Sequence, residues 1–187
     1  MTIIIMGPQG SGKTTQAERL ATAFNIPHLE SGEVFREIAK QDSDLGREVQ
    51  AALEQGHLVD RATADLVIES MFERAKYHDH VIVDGFPRDV VQAQQHKGKI
   101  DRVFYLDVGE EECIKRLASR GRADDTPEII KERLRLYYER TVPVLEYFER
   151  LAILEKIDGE RDVNVIYQDL YGRIKRMLQI GDAELLK

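Results

Sequence analysis

The sequence predicts an α/β domain of three layers built on a five-stranded parallel sheet. Short β-branched apolar runs alternate with stretches of helical periodicity, which is the pattern of βαβ units. The runs are continuously apolar rather than alternating, so the strands are buried on both faces and need helices above and below them. At 187 residues, 42% apolar and 33% charged, the chain has enough core for one domain without disulfides. Ligands of such sheets gather at the carboxyl ends of the strands, so residues that carry chemistry are expected along that edge.

In chain order, strands are expected at Thr2–Met6, briefly near 27–29, at Val81–Asp84, at 103–108 and at 153–157. Helices are expected at about 13–24, 33–40, 45–54, 62–76, 111–119, 127–150 and 163–178. No repeat, linker or low-complexity tract divides them, and 181–187 reads as a short frayed tail.

Composition excludes several classes of function. With 34 acidic and 27 basic residues the net charge is −7, which argues against a nucleic-acid surface and requires any anionic ligand to be met by locally clustered arginines. The longest apolar run is only a few residues, so no span of a membrane is expected. The opening Thr2-Ile3-Ile4-Ile5-Met6 has no basic flank and no small-residue cleavage site, so a signal peptide is not expected and a cytoplasmic location is. The single cysteine, Cys113, reads as a small buried hydrophobe, and the histidines at 28, 57, 78, 80 and 96 lack the paired spacing of a zinc site. His78 and His80 are expected to flank a strand.

Gly7-Pro8-Gln9-Gly10-Ser11-Gly12-Lys13-Thr14 satisfies G-x-x-x-x-G-K-[ST] immediately after an apolar strand and immediately before an amphipathic helix. Glycines let the backbone wrap and aim N–H groups inward, and the helix adds its positive end at the same point. Gly10, Ser11, Gly12, Lys13, Thr14 and Thr15 are thus candidates for holding the phosphates of a nucleotide, with Lys13 on the β- and γ-phosphates and the Thr14 hydroxyl on Mg²⁺. Asp84 ends the run Val81-Ile82-Val83 at a strand's carboxyl end and suits a second contact to Mg²⁺, through water. A cap for the Gly85-Phe86-Pro87 bend is the alternative reading of Asp84.

A phosphate-binding loop alone does not choose between a GTPase, a transport ATPase and a small-molecule kinase. The stretch Asp84-Gly85-Phe86-Pro87-Arg88-Asp89-Val90-Val91-Gln92 resembles the acceptor-site signature of the adenylate kinase family. That resemblance implies a P-loop kinase fold, with Gly85, Phe86, Pro87 and Arg88 at AMP, Arg88 on the acceptor phosphate and Gln92 reading the adenine edge. It extends along most of the chain. Ser31-Gly32-Glu33-Val34-Phe35-Arg36 is similar to the family's Thr-Gly-Asp-x-x-Arg, which implies Ser31 near the base and Arg36 on the acceptor phosphate. Gly56-His57-Leu58-Val59 is similar to the turn whose backbone touches AMP, so His57, Leu58 and Val59 are AMP-site candidates. The run from Arg116 through Arg120, Gly121, Arg122 and Asp125 resembles the lid, and Arg133 matches a further phosphate-binding arginine. By the same resemblance Arg116 packs on the ATP adenine, Arg120 meets the ATP phosphates, and Arg122 and Arg133 lie between donor and acceptor. Asp158-Gly159-Glu160-Arg161 is similar to a loop at the ATP base, which makes Arg161 an ATP-site candidate.

The resemblance implies one kinase domain over 1–187, with an acceptor-binding segment at about 30–59 and a very short lid at about 119–126. The implied reaction is Mg·ATP + AMP ⇌ 2 ADP by a monomer, with Lys13, Arg88, Arg120, Arg122 and Arg133 as the catalytic charges and no general-base nucleophile. Phosphoryl transfer asks for in-line positioning and charge stabilisation, which arginines and Mg²⁺ supply.

The sequence departs from the family at several points. Only Gly121 separates Arg120 from Arg122, where even short-lid members have a few more residues. On an extended segment the two would still face one way. Glu30 and Glu33 stand where Ser and Asp are more usual, and Asp60-Arg61 follows Val59 where Pro-Asp is common. A UMP/CMP-type kinase, a shikimate- or gluconate-type kinase and a nucleotide-binding regulatory module without turnover are the competing readings. Gln92 and Ser31 favour adenine, because pyrimidine-directed relatives tend to carry Asn and Ala there.

Overall fold

Five strands, β1 (Thr2–Met6), β2 (His28–Glu30), β3 (Val81–Asp84), β4 (Arg102–Asp107) and β5 (Leu154–Asp158), form one sheet in the order β2-β3-β1-β4-β5. Every pair is parallel, with Ile5 opposite Asp84 and Glu30 opposite Asp84 across the β1–β3 and β2–β3 pairs. The structure is a computed structural model that describes residues 1–74, 79–121 and 125–185, with side chains as far as residue 178. The expected strands are each met within one residue. His80 directly precedes β3, and His78 lies outside the described residues.

Alternate residues of each strand feed opposite faces, and both faces are apolar. Ile4, Met6, Val81, Val83, Val103 and Tyr105 join one cluster with Phe35, Ile68 and Phe148. Ile3, Ile5, Ile82, Phe104 and Leu106 join the other with Leu20, Leu170 and Ile174. The second face is covered by α1 (Lys13–Phe24) and α9 (Val163–Leu185), pinned by a stacked Phe24–Tyr171 pair at 4.7 Å. The first is covered by α2 (Ser31–Ala39), α3 (Asp44–Glu54), α4 (Arg61–Phe72), α5 (Val90–Gln95) and α8 (Val142–Arg150). Between β4 and α8 run α6 (Glu110–Arg120) and α7 (Pro127–Leu136), which share a small cluster of Val108, Cys113, Leu117, Ile130 and Leu134. Cys113 is buried there as expected.

Short polar side chains set several helix starts. Ser43, Asp60, Asp89 and Thr126 each accept a hydrogen bond from a first-turn amide of α3, α4, α5 and α7. α5 was not expected, because six residues are too few for a periodic signal, although Asp89 is a legible cap. α2 begins at Ser31 rather than at 33, since β2 passes into it without a loop and Gly32 is a weak helix former that hides the start.

The helix expected over 127–150 is interrupted by a π-helical turn at Tyr137–Thr141. Pro143 has no amide hydrogen for the carbonyl four residues back, which lies inside the widened turn. The expected tail is instead helical through Leu185, because one glycine, Gly181, costs only about 1 kcal/mol among good helix formers. No described helix is long and apolar enough to cross a membrane.

Phe148 is fully buried on α8 between the π turn and the sheet. Phe148→Ala should lower the unfolding free energy by about 3–5 kcal/mol, read from the midpoint of urea unfolding.

Candidate functional site

The carboxyl ends of β1, β2 and β3 open into a cavity of about 420 Å³. Of the residues singled out from sequence, Lys13, Thr14, Ser31, Arg36, His57, Leu58, Val59, Asp84, Gly85, Phe86, Pro87, Arg88, Gln92, Arg120 and Arg133 all border it. One enclosure thus holds the loop after β1 and the segment after β3.

Its donor side is the turn from Gly7 into α1. Gly10 and Gly12 both take φ of +87°, and a Cβ at Gly10 would meet the Cys113 carbonyl at 2.6 Å, so the loop is wedged against α6. Gly12 caps α1 without a side-chain hydrogen bond, which leaves first-turn amides free to face an anion. Lys13 Nζ folds back onto the Pro8 carbonyl at 3.2 Å. Burial, together with Arg88 and Arg120, holds its ammonium below the ordinary 10.5, against the pull of Asp84. Ser11 is buried within the loop and Thr15 is exposed beyond it.

Asp84 is 2% exposed, and its Oδ2 has no hydrogen-bond partner among the described residues. His28 Nε2 stands 3.5 Å from that oxygen, an ion-pair separation without hydrogen-bond geometry. Burial opposes the His28 imidazolium, but Asp84 outweighs it and the His28 pKa lies above its ordinary value. A buried carboxylate oxygen with no donor among the described residues, bordering the same cavity as the hydroxyl-bearing Thr14, offers hard oxygen ligands of the kind a divalent cation takes.

The acceptor side turns on the Gly85 carbonyl, which accepts hydrogen bonds from Ser31 Oγ and Arg88 Nε, each at 2.8 Å. Gly85 has φ of +76°, and a Cβ there would lie 2.4 Å from Ser31 Oγ, so only glycine permits the contact. Burial comes first in lowering the Arg88 pKa, with Arg133 and Arg36 acting in the same direction and Asp84 against them. Gln92 is fixed at both ends of its amide: Oε1 accepts from Arg88 N–H at 2.8 Å and Nε2 donates to Asp65 at 2.9 Å. Thr141, in the π turn, donates to the Arg88 carbonyl at 2.9 Å. His57 sits 3.7 Å from Glu132 of α7, and the preceding Gly56 packs on Ile129 of the same helix.

The arginines arrive already engaged. Arg120 makes a bidentate pair with Asp125, both bonds 2.8 Å, and Arg133 reaches the same carboxylate at 3.2 Å. Asp125 has a side chain only 2% exposed, so one buried acid bridges two cavity cations. Arg36 donates to Glu30 at 2.6 Å.

Two arginines among the ATP-site candidates lie outside this cavity. Arg116 does not border the cavity; it pairs with Glu112 and donates to the Ser11 and Gly159 carbonyls at 3.5 and 3.1 Å, tying the loop to the turn after β5. Arg161 turns to the Asp158 carbonyl and Asp169, and joins no cavity group. Arg120 is the last residue of α6, followed by a left-handed Gly121, so it does not lie on an extended segment. Arg122 lies outside the described residues, as does most of the expected lid. Asp125, Glu30, Asp65, Thr141 and Arg140 also shape the site and were not among the candidates. Asp125 and Glu30 sit inside or beside the motif runs, whereas Asp65 and Arg140 carry no local signal.

The family model described as adenylate kinase matches residues 5–153. The chain belongs to the adenylate kinase family. It is 37% identical over 176 residues to an adenylate kinase of Prochlorococcus marinus subsp. pastoris, covering 90% of this chain and 94% of that one. It is 34% identical to an adenylate kinase of Stenotrophomonas maltophilia, with 94% and 100% covered, and 32% identical to adenylate kinase isoenzyme 1 of Gallus gallus, with 94% covered in each. The five-stranded parallel sheet with its loop after β1 is the P-loop kinase fold of that family.

Lys13 sits where its charge is disfavoured by burial. The penalty is fully present below the lowered pKa and fades as pH rises through it towards 10.5. Lys13→Met should therefore stabilise the fold by about 0.5–2 kcal/mol at pH 7, with a smaller gain at pH 10, measured by urea unfolding at both pH values.

Proposed function

We propose that this chain transfers the γ-phosphoryl group of Mg·ATP to AMP, reversibly, giving two ADP. The observation that carries the reading is the shared cavity: Lys13 of the phosphate loop and the Arg88–Gln92 segment face one space, with Asp84 between them. Gly10, Ser11, Gly12, Lys13, Thr14 and Thr15 hold the donor phosphates, through loop and helix amides and the Lys13 ammonium. Arg36 and Arg88 take the acceptor phosphate, since a guanidinium offers two parallel donors to it. The free lone pair and N–H of the Gln92 amide face adenine, whose edge presents one donor and one acceptor.

The divalent metal is Mg²⁺, held by Thr14 and, through water, by Asp84. When bound it neutralises phosphate charge. Arg120, Arg133 and Arg122 surround the group in transfer and stabilise its equatorial oxygens, so the protein needs no covalent intermediate. Arg116, which donates to the Ser11 and Gly159 carbonyls, packs on the ATP adenine, and Arg161 belongs to the turn that meets the ATP base. The acceptor-binding segment is 30–59 and the lid is 119–126, within one domain that works as a cytoplasmic monomer without a nucleic-acid or membrane partner.

Gln92 and Ser31 favour this over a UMP/CMP-type kinase. The convergence of Lys13, Asp84 and the arginines favours turnover over a regulatory module, which has no use for charge aimed at a transferring group.

ADP formation from ATP, with AMP, CMP, UMP, GMP or no acceptor, tests the reading. AMP should be the fastest acceptor, and excess chelator should abolish turnover. Faster turnover with CMP would replace AMP by a pyrimidine acceptor, and no turnover with any acceptor would favour the module. The short spacer at Gly121 predicts measurable ATP hydrolysis without acceptor, and a negligible rate beside transfer would refute that part.

A further inference from the structure

The cavity that must attract a phosphate dianion also contains a carboxylate aimed at one of its cations. Glu30 ends β2 opposite Asp84 and immediately precedes α2. Its Oε1 accepts from Arg36 Nη2 at 2.6 Å, its side chain is 12% exposed, and both residues border the cavity. Gly32 lies against the pair, where a Cβ would sit 3.1 Å from Arg36 Nη1 and 3.5 Å from Glu30 Oε1. Arg88 is engaged differently. Its Nε is held by the neutral Gly85 carbonyl, and among the described residues no carboxylate pairs with it. Of the two arginines on the acceptor side, one is presented to a ligand and the other is already satisfied by an internal anion.

We propose that Glu30 is an internal competitor of the acceptor phosphate: it holds Arg36 in an ion pair of its own, must release it when the nucleoside monophosphate binds, and so raises the acceptor KM. The inference rests on Arg36 serving the acceptor phosphate. Affinity for a ligand falls by the fraction of sites that are competent to bind it, and the Arg36–Glu30 pair subtracts from that fraction. Arg36 is 36% exposed, so solvent screens the pair to about 1 kcal/mol, equivalent to roughly a fivefold loss of acceptor affinity. After release the carboxylate still lies beside the bound phosphate, and like charges add to the effect in the same direction. Glu30 touches no reacting atom; it acts only through its hold on Arg36. A serine, more usual in the family here, leaves that cation unopposed.

Glu30→Gln keeps the size and removes the charge, and Glu30→Ser removes the contact. Steady-state kinetics should show the AMP KM falling about fivefold in Glu30→Gln, and falling also in Glu30→Ser, with the ATP KM unmoved and the gain carried by KM rather than kcat. The difference from the native chain should narrow at high salt. An AMP KM that is unchanged or higher overturns the proposal and makes Glu30 a brace for Arg36. Parallel shifts in the ATP and AMP KM values overturn it as well, since they report a general change of structure. Calorimetric titration of AMP into the native and Glu30→Gln proteins carries the same prediction without turnover. Failure of the native chain to use AMP would thus refute the proposed reaction, while the titration still decides the role of Glu30.

Discussion

The arrangement depends on one carbonyl oxygen. Gly85 O, one residue beyond the end of β3, accepts Ser31 Oγ from the start of α2 and Arg88 Nε from the approach to α5. The first bond fixes the acceptor segment to the sheet edge. The second sets the direction of a buried guanidinium, and Arg88 N–H in turn fixes Gln92. Because β3 pairs with β1, the same edge lies beside the phosphate loop. Base reading, acceptor phosphate and donor phosphate are thereby referred to one backbone position, at which only glycine avoids collision with Ser31.

Concentrating cations at that edge is costly in an otherwise acidic protein. Lys13 and Arg88 are both held below their ordinary basicity, with burial the largest cause in each. Internal acids offset the repulsion: Asp84 acts on both cations, Asp125 on Arg120 and Arg133, and Glu30 on Arg36. These acids make the site stable without ligand and set what a phosphate must displace to enter. The apolar faces of the sheet supply the rigidity that keeps such a site open, since Ile3, Ile4 and Ile5 are fully buried on alternating sides.

How much of this was legible depended on sequence distance. The strands and the phosphate loop were readable because a short continuous β-branched run and a glycine-rich turn are local properties. Arg88 and Gln92 were readable through resemblance, since the one run from Asp84 to Gln92 carries the motif. Contacts between distant residues left no local trace: Asp65 on Gln92, and Arg116 joining Ser11 to Gly159, became visible only in three dimensions. The π turn was missed for a related reason. A helix can either break at a proline such as Pro143 or widen before it, and no local pattern chooses between them.

The central claim is that Arg88, oriented by the Gly85 carbonyl, supplies charge in the transfer step while the fold stands without it. Single-turnover transfer from ATP to saturating AMP by Arg88→Ala tests this most directly, with thermal unfolding measured on the same protein. The account predicts a transfer rate lower by about 10³ to 10⁵ with an intact folding transition. A rate close to that of the native chain would contradict it.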